Sequence, residues 1–360
     1  MKPTRYFFRV DGGNVYSLAM GHVTRCLKLA RYLKKRPNRA IFFLMKDHPE
    51  AVRKVEDEFP VIRLPRDIFP GADANRVRER LEYGDAVITD VRNLPPDYLE
   101  TLKGVPALVC SFDDLGETRL RPHVLVNPSP EARAVSYPEN GDCTFLLGLD
   151  YFVLSEAADL PRKHAAPSEV RRLLLSFGGA DPTDTAGKLL AALDARFHGY
   201  HFNVVLGCAY PAERETQLRK TVEDKNRRGF RIEIRRDRPS LFPDFMECDA
   251  AWVAGGDTCL ESLYTGTPTF IVSTIDYEAR TADRLEAVGA AVHVGSIESA
   301  SPAALLDRIF TLQENPEKIE QLHKNALTVI DGRGIARIAD AIENKHRALF
   351  STKTPGVTAT

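Results

Sequence analysis

Short apolar runs alternate with amphipathic stretches along almost the whole chain. In the first half the runs fall at 5–10, 39–45, 60–64, 85–90, 107–112 and 123–128. They lack strict polar alternation, as strands covered on both faces do. Between them the helical period predicts helices over 21–35, 48–58, 73–82 and 95–102. Strand–helix alternation of this kind predicts right-handed crossovers and a parallel sheet.

The rhythm breaks at 156–170, which is rich in Ala, Pro and charge and reads as a linker. It restarts with strand-like runs at 171–177, 201–207, 230–236, 249–255, 267–273 and 290–295. Helices are predicted at 183–195, 211–225, 241–248, 258–264 and 279–288, then three closing ones at 302–313, 316–329 and 335–349. The fold class is therefore α/β, with one Rossmann-like domain over 1–155 and a second over 171–350. The polar tail 351–360 is expected to be disordered. Ligands of such sheets bind beyond the carboxyl ends of the strands, which puts the expected site in the cleft between the two halves.

Bulk composition narrows the partners. The chain has 360 residues and a formal net charge of −1, which argues against nucleic acid or an anionic membrane as the main partner. No apolar run approaches spanning length, and 5–10 is too short for a signal-peptide core. The six cysteines are scattered without a CxxC pair, which predicts neither zinc nor a disulfide framework and suits a reducing cytoplasm. No Walker loop, nucleophile elbow or metal-ligand cluster is present, so no cofactor or metal is expected. An anionic ligand must then be held by local devices such as helix N-termini.

Candidate chemistry sits in the loops that follow strands. The loop from Asp11 ends in Gly21 and His22 at a helix start, where an imidazole can take a proton near neutral pH. Arg25, one turn on, suits a phosphate or a carboxylate. Gly178 and Gly179 allow close backbone approach, with Asp181 and Pro182 opening a helix. Gly255, Gly256, Asp257 and Thr258 open another helix with free amides, the physical solution for a diphosphate, and Glu261 suits a ribose. Asp90, Asp113 and Asp114 follow strands and are placed for the same cleft.

Together these stretches resemble a known family. RVDGG, MGHVTRCLKLA, ITDVRNL, SFDDLGETRLRPHVLVNPSP, LLLSFGGADPTD and CDAAWVAGGDTCLESLYTGTP match in order and spacing. They resemble the nucleotide-sugar hydrolase of pseudaminic acid biosynthesis and the related spore-coat polysaccharide biosynthesis proteins, within the GT-B-fold sugar enzymes. The resemblance implies two Rossmann-like domains and a UDP-linked amino or deoxy sugar as partner. It implies His22 as general base, with Asp11 beside it, and Gly255, Gly256 and Glu261 at the nucleotide. Water attack at the anomeric carbon, with release of UDP, is the expected reaction. The alternatives are a GT-B glycosyltransferase and a non-catalytic sugar-nucleotide binding subunit. The chain departs from the family at Ala19, at Asp257 in place of Ser or Thr, and at Tyr277-Glu278 in place of an Asn-Gln pair that touches the donor.

Overall fold

The computed structural model describes residues 2–13, 20–116, 120–138, 141–154, 160–207, 209–236 and 238–350. The loop 14–19, including Ala19, and the tail 351–360 lie outside the described residues. The chain divides into two compact units, Met1–Ala158 with Gly332–Thr360, and Asp159–Asp331.

In the first unit seven strands pair in parallel: β1 (Thr4–Val10), β2 (Arg39–Lys46), β3 (Val61–Leu64), β4 (Ala86–Asp90), β5 (Leu108–Phe112), β6 (Val124–Asn127) and β7 (Thr144–Leu147). Their order is β3-β2-β1-β4-β5-β6-β7. The helices are α1 (Gly21–Lys34), α2 (Pro49–Glu56), α3 (Pro70–Arg78), α4 (Pro96–Lys103) and, returning after the second unit, α12 (Gly334–Phe350). Alternate strand residues feed opposite faces. Phe8 joins Phe43, Val23 and Leu29 on one side, while its neighbour Phe7 joins Leu44, Val77 and Leu99 on the other. That two-sided burial explains the unbroken apolar runs.

The second unit carries β8 (Arg172–Ser176), β9 (His201–Leu206), β10 (Arg231–Arg236), β11 (Ala250–Val253), β12 (Thr269–Ser273) and β13 (Val292–Ser296), ordered β10-β9-β8-β11-β12-β13. Its helices are α5 (Thr185–Ala192), α6 (Ala212–Arg227), α7 (Phe242–Glu247), α8 (Asp257–Tyr264), α9 (Asp276–Ala287), α10 (Pro302–Gln313) and α11 (Pro316–Val329). Trp252 is fully buried among Phe197, Phe202 and Phe270. The α/β architecture of two parallel sheets is the GT-B class expected from the sequence.

Each sheet has one topological switch point, where the strand order reverses and loops diverge to leave a crevice. In the first unit it lies between β1 and β4, and in the second between β8 and β11. The loops carrying His22, Asp90, Gly178–Gly179 and Gly255–Gly256 all leave these four strands.

Three sequence expectations change. The last helix belongs to the first unit: Ile335, Ile338, Ala339 and Ile342 of α12 pack into the Phe8 core. Arg36 and Arg39 pin its outer face through Glu343, at 2.7 and 2.8 Å. The segment read as a linker is docked from residue 160 onward. Arg162 donates to the carbonyls of Tyr264 and Leu327, both at 2.8 Å, and Lys163 donates to the Cys248 carbonyl. Strand β7 was absent from the sequence reading, being four residues long at a sheet edge.

Arg9 at the end of β1 is fully buried with two carboxylates. It donates to both oxygens of Asp11 at 2.7 and 2.8 Å and to Asp73 at 2.5 Å, and Tyr98 donates to Asp73 at 2.9 Å. Removing one partner of such a cluster leaves a buried charge uncompensated, at a cost of about 3–5 kcal/mol. Arg9→Met is therefore expected to destabilise the first unit by that amount in denaturant unfolding followed by circular dichroism. A change within 1 kcal/mol, on the order of a surface substitution, would show the cluster to be dispensable.

Candidate active site

The site of the first unit is built on α1 and the ends of β4 and β5. Gly12 lies where an added Cβ would come 2.6 Å from Val23, so the chain after β1 hugs α1 closely. That packing sets α1 with Gly21 and His22 in its first turn, beside the β1/β4 switch point.

His22 Nδ1 is 2.6 Å from Asp90 Oδ1. Since a carboxylate only accepts, Nδ1 carries the proton and Nε2 is left as the basic atom. Arg25 holds Asp90 from the other side, with Nε on Oδ2 at 2.9 Å and Nη2 on Oδ1 at 2.7 Å. The same guanidinium donates to both oxygens of Asp114, at 2.7 and 2.9 Å, and lies 4.4 Å from the centre of the Phe112 ring. Asp113 turns the opposite way: its carboxylate accepts from Tyr137 at 2.8 Å, and Asn127 donates to that hydroxyl at 2.9 Å.

The electrostatics follow from these contacts. Burial alone would lift the Asp90 carboxyl, but Arg25 and His22 hold it far below the usual carboxylate range. Burial pulls His22 down, yet the charge of Asp90 and its hydrogen bond outweigh it, and the imidazole titrates above its ordinary value. Arg25 acts downward on it and Asp114 upward.

A small pocket of about 20 Å³ lies beside the imidazole, lined by His22, Asp90, Arg92, Phe112 and Asp114. That is room for about one water molecule. Among the described residues, His22, Asp90 and Asp114 offer ligand atoms within 4.8 Å of one another, a spacing a metal ion could use. The guanidinium of Arg25 already fills the gap between the two carboxylates, so a cation of the protein's own occupies that place.

Asp11, a catalytic candidate in the sequence, is not part of this group. Both its oxygens accept from Arg9, and Oδ1 also accepts from the Lys46 amide at 2.8 Å. It is held well ionised by Arg9 and fixes the loop after β1 instead of moving protons.

In the second unit, Gly178 has φ +79°, and the loop after β8 lies so close to β9 that a Cβ on Gly207 would meet Gly179 at 2.5 Å. Among the described residues nothing stands within 4 Å of a Cβ on Gly178 or Gly179, so their own faces are clear of these residues. Asp181 caps α5 from a distance, accepting from the amides of Thr185 and Ala186 at 2.8 and 2.9 Å. The helix therefore starts at Thr185 and not at Pro182.

After β11, a Cβ on Gly255 would fall 2.4 Å from the Glu278 carbonyl oxygen, so only glycine fits there. Gly256 is the N-cap of α8 and brings no side chain to its first amides. Asp257 and Thr258 form the first turn, with Asp257 exposed, and Glu261 follows one turn later. Tyr277 and Glu278, expected in a loop, lie in the first turn of α9. Glu278 reaches back to the amide and hydroxyl of Thr274, at 2.8 and 2.7 Å. This is a capping arrangement, and it places the Glu278 backbone against Gly255 while its carboxylate serves the helix and not a ligand.

Sequence reasoning missed Arg92, whose Nε donates to His22 Nε2 at 3.1 Å. Only its position two residues after Asp90 pointed to it. It also missed a row in the second unit in which Ser273 lies 3.1 Å from His293 Nε2 and Asp283 2.6 Å from Nδ1. Ser273 is fully buried at the end of β12, which bars it from a substrate.

Comparison with known proteins agrees with this fold. No family model matches the chain. It is 26% identical over 340 residues to the spore coat polysaccharide biosynthesis protein SpsG of Bacillus subtilis, covering 93% of this chain and 96% of that protein. It superposes on MurG of Acinetobacter baumannii with a TM-score of 0.69 at 16% identity, over 95% of this chain and 100% of that one. UGT71G1 of Medicago truncatula, solved with UDP-glucose, gives 0.61 at 12% identity, over 96% of this chain and 99% of that one. The resemblance to spore-coat polysaccharide proteins and to GT-B enzymes therefore holds. Among the described residues no helix is long and apolar enough to cross a membrane.

Asp90→Asn removes the charge that lifts His22 and leaves burial and Arg25 pulling downward. Titration of the His22 ring protons by NMR is expected to give a midpoint above about 6.5 in the native protein and below it in the variant. An unchanged midpoint would mean that Asp90 does not control the imidazole.

Proposed function

We propose that the chain is a nucleotide-sugar-dependent glycosyltransferase of surface-polysaccharide biosynthesis, with a UDP-sugar as donor. The observation that carries this reading is the His22–Asp90 pair at the β1/β4 switch point, with Nε2 beside a pocket. Fold likeness to MurG and to a UDP-glucose-bound glycosyltransferase, and sequence likeness to a polysaccharide biosynthesis protein, support it over the hydrolase expected from sequence.

In this reading an acceptor hydroxyl gives its proton to His22 Nε2 as its oxygen bonds to the anomeric carbon. The bond from that carbon to the diphosphate breaks, and UDP leaves with the electron pair. A single displacement of this kind inverts the anomeric centre. Asp90 keeps the imidazole in the right tautomer and stabilises the imidazolium that forms. The second unit offers the amides opening α8, with no side chain at their glycine N-cap, as fixed dipoles suited to a diphosphate. Base catalysis of this type contributes about 10²–10⁴-fold.

Hydrolysis of the same donor is the second reading. The 20 Å³ pocket beside the imidazole favours it, because one water fits there as nucleophile.

Incubating UDP-linked amino sugars with the enzyme, with and without a sugar acceptor, separates the two. Transfer predicts UDP release that depends on acceptor and falls at least ~10²-fold in His22→Ala. Release in water alone selects hydrolysis, and equal release by His22→Ala removes the base from both readings. The pH dependence has a fixed sign: only neutral His22 accepts a proton, so activity rises with pH through a midpoint above about 6.5.

Asp257 sets its own test. A carboxylate in the first turn stabilises the empty helix but repels a bound diphosphate. Asp257→Ser is expected to tighten UDP up to about 5-fold by calorimetry, from a helix-terminus charge effect of about 0.3–1 kcal/mol. Unchanged or weaker binding would place the diphosphate away from α8.

A further inference from the structure

The two nitrogens of His22 are engaged by the end of one strand and the turn after it, with Arg25 Nη2 also 3.1 Å from Nδ1. Asp90 ends β4 and takes Nδ1, while Arg92, two positions on, donates its Nε–H to Nε2 at 3.1 Å. The turn that holds Arg92 there is fixed at its far end by buried Leu94 and made tight by Asn93 at φ +57°. Nε2 is the atom that must receive the proton in the reaction proposed above, and in this structure it is already occupied.

We infer that Arg92 caps the base until an oxyanion of the incoming substrate, a phosphate or a sugar carboxylate, draws its guanidinium away. The inference rests on the reading of His22 as general base. Its physical basis is a competition for one donor. Asp90 and Arg25 are tied to each other, and Arg25 also spends its hydrogens on Asp114. Arg92, by contrast, is exposed, and among the described residues its hydrogen bond goes to a neutral ring nitrogen. An oxyanion adds an opposite charge that a neutral ring nitrogen lacks, and a guanidinium can engage it through two parallel bonds. An anion at the pocket therefore wins the guanidinium. The contact also selects the neutral imidazole, because a protonated Nε2 has no lone pair to offer. Arg92 thus works against Asp90, occupying the Nε2 lone pair while the site is empty and freeing it when substrate arrives. Arg92 is a positioning residue in this scheme.

The test uses the full chain labelled with nitrogen-15 in its histidine rings and needs no turnover. A protein that transfers no sugar can still pass it, and one that does can still fail. Among the described residues the charged groups around His22 are Asp90, Arg25, Asp114 and Arg92, and only the last is changed. In Arg92→Ala the proton affinity of His22 is expected to rise about tenfold, one unit in its midpoint. Adding UDP or glucuronate, in separate samples, is expected to move the Nε2 resonance of the native protein toward that of Arg92→Ala. A response to UDP alone identifies a phosphate as the displacing group, and one to glucuronate alone a carboxylate. Identical titrations with and without Arg92, or an Nε2 signal deaf to both anions, would overturn the inference.

Discussion

The guanidinium of Arg25 is the interaction on which the first unit's site depends. It binds four carboxylate oxygens, two from Asp90 at the end of β4 and two from Asp114 beyond β5, and lies against the Phe112 ring. Without it Asp90 would be a buried carboxylate with a histidine as its main partner, and desolvation would favour its neutral form. Neutral Asp90 could neither fix the tautomer of His22 nor stabilise its charged form. Arg25 therefore makes Asp90 an anion, and Asp90 makes His22 a base. Of the two partners that sequence suggests for Arg25, a phosphate or a carboxylate, the structure shows carboxylates on both ends of its fork.

The two units solve different problems with the same topology. Each brings two loops together where its strand order reverses. In the first unit those loops carry ionisable side chains. In the second they carry glycines, whose missing side chains let backbone come close: Gly255 meets the Glu278 carbonyl and Gly179 lies under Gly207. One half is suited to proton transfer and the other to an anion held by amides. This division follows from which residues the loops contain.

Much of this was legible in the sequence because it depends on local signals. Unbroken apolar runs marked the parallel strands, and paired glycines before helical periods marked Gly178–Gly179 and Gly255–Gly256. A histidine at a helix start marked His22. What escaped depends on contacts distant in sequence. The apolar stripe of α12 reads the same whichever core it fills, and only Arg36, Arg39 and the Phe8 cluster decide for the first unit. Asp11 looked catalytic because its partner Arg9 is hidden in an apolar strand. Glu278 stands where the resemblance puts a donor-touching residue, and only the start of α9 at Asp276 shows its carboxylate turned back to Thr274. Arg92 carried no signal of its own, since an exposed arginine in a turn is ordinary.

Asp90, though buried, is held ionised at neutral pH by Arg25 and His22. Infrared difference spectra between the native protein and Asp90→Asn isolate its carboxyl band. A carboxylate band that persists on acidification past the ordinary Asp value of about 3.9 is the predicted result. A protonated carbonyl band near neutral pH would contradict the account, because a neutral Asp90 leaves His22 without the charge that makes it a base.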